Sequence, residues 1–127
     1  MSIISFAWTT PALLAGRKTC TRREWTASYA RQFHDGDLVG AYDRSPRNGG
    51  RKVAVIRLTA PVQRRSTKFM PESDWEDEGF EYLAGIGASV KGDTPAAIWA
   101  DWRDNPRDLY VIRFEIIEVI WHGGDTP

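Results

Sequence analysis

Apolar residues recur along this chain in short alternating runs rather than in long helical stripes. Ile3–Trp8, Thr19–Arg23, Leu38–Tyr42, Lys52–Thr59 and Leu109–Trp121 each predict a strand, rich in residues that suit a pleated, half-buried surface. In the last of these, Tyr110, Ile112, Phe114 and Ile116 share one face. Pro61–Arg65 continues a strand beyond a kink at Pro61. The segment Asp43–Arg51 joins two of the strands as a hairpin-like loop, with Asn48-Gly49-Gly50 supplying positive φ.

The helical patterns are shorter. Thr9 or Thr10 caps a brief helix with Pro11 just inside its start and Gly16 just past its end. Ala27–Phe33 is weakly helical and stops at the turn His34-Asp35-Gly36-Asp37. Ser73 caps a short acidic helix within Pro71–Leu83, and Thr94-Pro95 opens a clearer helix through Trp99 and Trp102 to Asn105. Five or six short strands with small helices between them predict an α+β fold. Its core is a small, closed or nearly closed β-barrel, mostly antiparallel. No repeat or linker divides the 127 residues, so positions 1–127 read as a single domain.

Composition adds two points. At 42% hydrophobic and 12% aromatic the chain can build a sizeable core, which excludes wholesale disorder. Its net charge of zero conceals two opposed halves. Residues 1–68 carry 13 basic and 4 acidic side chains, or +9, and residues 69–127 carry 4 basic and 13 acidic, or −9. Such asymmetry points to an anionic partner for the basic half. No apolar run approaches the roughly 20 residues of a membrane span, and MSIISFAW lacks the basic start of a secretory leader. One cysteine, Cys20, and two histidines, His34 and His122, make no disulfide or Cys/His metal framework. The expectation is a cytoplasmic domain without metal, cofactor or membrane contact; its oligomeric state is left open.

Chemistry concentrates in Leu13-Leu14-Ala15-Gly16-Arg17-Lys18-Thr19-Cys20-Thr21-Arg22-Arg23. A glycine that ends a helix lets backbone amides, cations and threonine hydroxyls face one concavity suited to an oxyanion. A solvated basic edge strand is the plain reading of the same residues. Among the aromatics of the basic half, Trp8 and Trp25 flank this segment and are the choices for walls that stack on a base. Core packing is the competing use of each. The arginines of the Asp43–Lys52 loop could contact phosphate or simply be solvated. Cys20 reads as a buried strand residue rather than a nucleophile, with no histidine near it in sequence.

Gly16, Lys18, Thr21 and Arg23, leaving a helix and entering a strand, resemble the signature of the ASCH family of PUA-like β-barrels, which are associated with RNA. The resemblance continues through Asp35-Gly36-Asp37-Leu38, the Val53–Leu58 strand, Asp77-Glu78-Gly79-Phe80 and Tyr110-Val111-Ile112-Arg113-Phe114. Within the family, threonine at Thr21 is similar to the small N4-acetylcytidine amidohydrolases. Their catalytic lysine, threonine and glutamate would fall on Lys18, Thr21 and Glu78, with Glu76, Asp77 and Glu81 as substitutes for the last. The resemblance implies an enzyme that takes a small acylated cytosine nucleoside, with Thr19 and Arg23 supporting the site. RNA is the other partner that the family suggests, as ligand of a binding module with at most weak ribonuclease action.

The chemistry of such a trio is coherent. A threonine hydroxyl needs a base to take its proton. Lysine serves as that base when burial or neighbouring cations, here Arg17, Arg22 and Arg23, lower its pKa from about 10.4. The carboxylate orients the lysine or holds a proton for the departing cytosine amine, and amides near Gly16 would stabilise the oxyanion. One geometric condition applies. Lys18 and Thr21 are three apart and would point to opposite faces of a regular strand, so the chain must bend between them. The acidic run from Glu72 to Glu81 reads otherwise as a solvated helix, with Trp75 and Phe80 packing it down.

Overall fold

A computed structural model describes residues 1–120; Trp121, the expected end of the last strand, and His122 lie outside the described residues. Six strands form one sheet: β1 (Ile3–Ser5), β2 (Cys20–Arg23), β3 (Leu38–Tyr42), β4 (Lys52–Leu58), β5 (Gln63–Ser66) and β6 (Asp108–Val119). The hydrogen-bonded order is β1-β3-β4-β6-β2, with β5 also on β6. All pairings are antiparallel except β1–β3, which is parallel. The sheet curls into a half-barrel, and the fold is α+β. Of the closed or nearly closed barrel expected from the sequence, the open form is the one present: β1 and β2 end the path, and no ladder joins them among the described residues.

Strand β6 is long enough to organise the rest. Its second half pairs with β4, while its first half runs between β2 and β5, so that Val111 faces Arg22 on one side and Gln63 on the other. Strands β4 and β5 follow one another along the same partner with Pro61 between them, because proline cannot donate to a ladder. A bulge in β4, where Ala41 faces Ala54 but Tyr42 faces Lys52, turns both Val53 and Ala54 inward to zero exposure. These residues join Phe6, Leu13, Ile56, Ile112 and Phe114 in the main core. Fully burying each larger side chain is worth about 1.5–3 kcal/mol.

The helices depart from expectation in three places. Strand β1 stops at Ser5; a positive φ of 46° at Ala7 and a 3-10 turn over Ala7–Thr9 swing Trp8 away from the sheet. Thr9 and Thr10 do not cap α1 (Thr10–Leu14), since their hydroxyls donate back to the carbonyls of Phe6 and Ala7 at 2.6 and 2.7 Å. The acidic helix is two helices, α3 (Asp74–Asp77) and α4 (Phe80–Gly85), divided by Gly79 at φ 84°. Ser73 precedes α3 without capping it. Single-turn α2 (Ala27–Ala30) and α5 (Pro95–Asp104) are capped as their sequences suggest, by Thr26 and Thr94. Phe80, Leu83, Trp75, Trp99 and Trp102 pack α3–α5 into a second cluster beside the half-barrel.

Candidate active site

The chain bends before Thr21, but among the described residues no hydrogen bond joins Lys18 to Thr21, and the lysine amine is held by Glu78 alone. Gly16 (φ 71°) turns the chain out of α1, and β2 begins only at Cys20, so Lys18 lies before the ladder. Thr19 pins this stretch through its backbone: its amide donates to the Asp77 carbonyl at 2.8 Å, and its carbonyl accepts from Phe114 at 3.0 Å. Freed from strand alternation, Lys18 turns inward and is 1% exposed. Its Nζ donates to the Glu78 carbonyl at 2.9 Å and to Glu78 Oε1 at 3.2 Å.

The acidic side of the site depends on Gly79. A Cβ there would stand 2.6 Å from that of Ala12 and 3.2 Å from that of Lys18. Only glycine allows the α3–α4 corner to lie this close, at a φ that other residues avoid. Of the six acids between Glu72 and Glu81, Asp74 and Glu78 are buried. Glu78 Oε2 accepts from Arg22 Nη1 at 2.7 Å. Asp74, one turn earlier, accepts from Arg22 Nη2 and from Arg113 Nη2 at 2.9–3.0 Å. Asp77 Oδ2 lies 3.6 Å from Arg113 Nη1. Lys18, Arg22 and Arg113 are thus matched against Glu78, Asp74 and Asp77.

Burial lowers the pKa of Lys18, against the opposing pull of Glu78 and Cys20. Cationic pressure contributes less, and Arg23 is its source. Arg17, expected to share that role, is exposed and faces a separate recess with Glu76 and Glu81. Arg22 is pulled down by burial, but Glu78 and Asp74 outweigh this and raise it. Burial pushes the Cys20 thiol up to about 12, with Glu78 adding to the effect. Native protein is therefore expected to resist iodoacetamide near pH 8, where an ordinary thiol of pKa about 8.5 reacts. The unfolded chain should be labelled at once, and rapid labelling of the folded protein by mass spectrometry would contradict this.

Lys18, Thr21, Arg22, Arg23 and Glu78 open onto one cavity of about 210 Å³. It sits at the open seam of the half-barrel, between Ser5–Thr9 after one end strand and Thr21–Arg23 of the other. Phe6, Trp8, Phe80, Ile98 and Trp102 supply its apolar walls. Thr21 and Arg23 alternate onto this face as strand geometry requires.

Two expected binding residues are displaced. Trp25 does not line the cavity; it stacks on Phe33 at 4.5 Å and packs against the main core, because β2 has ended before it. The Thr19 side chain is exposed, and its contribution is the backbone clamp already described. The amides near Gly16 are also unavailable to an oxyanion, since those of Gly16 and Arg17 donate to Leu13 and Ala12. Trp102, on the helix opened by Thr94-Pro95, packs on Phe80 at 5.5 Å and lines the cavity as well. Asp74 belongs to the acidic run without standing out among the named substitutes for Glu78, although its four-residue spacing from Glu78 places the two on one helical face.

No known family model matches this chain, and no curated protein does so either. Among solved structures it is similar to protein EF3133 from Enterococcus faecalis V583, of the DUF984 family. The TM-score is 0.56 over 98% of this chain and 85% of that one, at 17% identity. A likeness at that identity establishes a shared fold. Among the described residues no helix is long and apolar enough to cross a membrane, and no group of three or more His, Cys, Asp or Glu is placed to hold a metal ion.

Proposed function

We propose that this protein hydrolyses the exocyclic amide of N4-acetylcytidine, or of a related N4-acylcytosine nucleoside, to the cytidine and a carboxylate. The observation that carries the reading is the buried Lys18–Glu78 pair opening onto the same cavity as Thr21. The similarity of Gly16, Lys18, Thr21 and Arg23 to the small amidohydrolases of the ASCH family supports it. A cavity of about 210 Å³ suits a base and its acyl group rather than a polymer. Trp8, Phe80 and Trp102 supply the aromatic wall against which the base would lie.

Neutral Lys18 takes the Thr21 proton as Oγ1 bonds to the acyl carbon, and the carbonyl π pair moves onto oxygen. When that pair returns, the bond to N4 breaks and N4 leaves with its electrons, recovering the proton from Lys18. Water then attacks the threonyl ester and gives a proton to Lys18, which returns it to Thr21 as the acyl group departs as acid. Glu78 holds the Lys18 amine toward Thr21 through both steps. The test is incubation with N4-acetylcytidine and chromatography of cytidine. Absence of turnover, or full turnover by Thr21→Ala, removes the assignment.

The reaction needs Lys18 unprotonated, and burial holds its pKa below 10.5. Below that pKa the neutral fraction grows with pH, so kcat/KM is expected to rise with pH and level off before the ordinary lysine range. A profile that is flat from about pH 5 to about pH 9 would exclude Lys18 as the base.

A second reading, RNA binding, is favoured by one observation. Arg22, Arg65 and Arg113 line a separate recess of about 440 Å³ with no acid in its lining, beside Phe69, which is 78% exposed. Phosphate contacts and base stacking would use such groups. This reading predicts RNA affinity that falls steeply with salt and does not depend on Thr21.

A further inference from the structure

Among the described residues, the charged cluster of the site leaves one cation over. Glu78 divides its two oxygens between Lys18 and Arg22, and Asp74 and Asp77 are taken by Arg22 and Arg113. Among the described residues Arg23 has no ion pair, and its buried Nε has no hydrogen-bond partner. Its guanidinium rests 5.4 Å above the Phe6 ring. Buried donors are satisfied in the great majority of native structures, so an orphan within a cavity wall marks the place of a missing acceptor. Burial also penalises its charge and lowers its pKa, which an anion beside it would relieve.

Position narrows the chemistry of that acceptor. Arg23 follows Thr21 by two residues on the same strand face, about 6.5 Å along the strand, within reach of a long side chain. An acyl group placed at Thr21 Oγ1 would share the cavity with the Arg23 guanidinium, which lines the same wall. The amides of Gly16, Arg17 and Thr19, the obvious backbone donors, already serve other carbonyls.

We infer that Arg23 is the oxyanion-binding group of this cavity, receiving the negative oxygen of the tetrahedral intermediate and then the carboxylate product. The first half rests on the amide-hydrolysis reading; the second, a site for small carboxylates, stands without it. No charge is transferred to Arg23: the carbonyl π pair that moves onto oxygen meets a guanidinium already in place, with its plane supported by Phe6. Such preorganised donors act more strongly in a closed, water-poor site than in water.

Two measurements on the full chain test this. Labelled acetate titrated by NMR is expected to bind wild type, to bind Arg23→Gln at least about 10-fold more weakly, and to bind Arg31→Gln, at an exposed arginine outside the cavity, unchanged, a factor of ten being the usual effect of losing one charged hydrogen bond. In turnover of N4-acetylcytidine, Arg23→Gln should lower kcat by about 10²–10³-fold, as loss of one oxyanion donor does, with KM nearly unaltered. Arg23→Lys keeps a cation and should recover part of both. Acetate affinity indifferent to Arg23, or a loss confined to KM, overturns the inference. So does loss of the thermal unfolding transition in both variants, which would make Arg23 a structural residue. If wild type binds acetate through Arg23 yet turns over no substrate, the hydrolysis reading fails and the carboxylate site remains.

Discussion

Replacing Lys18 by methionine is expected to reduce N4-acetylcytidine turnover by about 10³-fold or more while shifting the unfolding temperature by only a few degrees. The two effects separate for a physical reason. As the proposed base for Thr21, Lys18 would act within a unit whose parts fail together, and general base catalysis alone contributes about 10²–10⁴-fold. As a structural element it is a buried amine whose charge burial disfavours, and its loss removes one donor each from the Glu78 carbonyl and Oε1. Methionine fills a similar volume, and Glu78 keeps its bond to Arg22 at 2.7 Å. Initial rates and calorimetry on one preparation decide the matter. Retention of more than about a tenth of the activity would show that Lys18 is not the base.

The largest loss of stability should follow Asp74→Ala. This carboxylate is 1% exposed and accepts from both Arg22 and Arg113. Its removal leaves Arg22, itself only 4% exposed at the side chain, with Glu78 alone and Arg113 with its longer contact to Asp77. Breaking a buried pair by deleting one member costs about 3–5 kcal/mol, which for a domain of this size lowers the unfolding temperature by roughly 10–20 °C. Activity should fall too, because Arg22 helps fix Glu78 against Lys18. Glu76→Ala, two residues on and exposed, supplies the contrast and should stay within about 0.5 kcal/mol of wild type. Equal shifts in the two variants would show that the buried network does not anchor the site.

Both predictions concern groups that the sequence treats very differently. Lys18 and Thr21 stand out because helix, glycine and strand follow one another within eight residues, and that local order survives folding. Glu78 could be narrowed only to one of several neighbouring acids. The Gly79 close approach selects it, by turning its carboxylate inward while Glu76 and Glu81 stay in solvent. Trp8 and Trp25 look equivalent as flanking aromatics. A positive φ at Ala7 sends the first to the cavity, and the end of β2 leaves the second in the core.

By itself the sequence determined most of the strands and the helix–glycine–strand order around Lys18, because alternation, capping and turn formation are decided by neighbours along the chain. It determined the opposed charge of the two halves as well, but not its use. Only the tertiary structure decided that the barrel stays half open and that the site occupies its seam. Only there do a lysine and an arginine from the basic half close on two acids of the other half, 52 to 60 positions away. Burial and pairing of charge depend on which distant segments meet, and no periodicity in a chain records that.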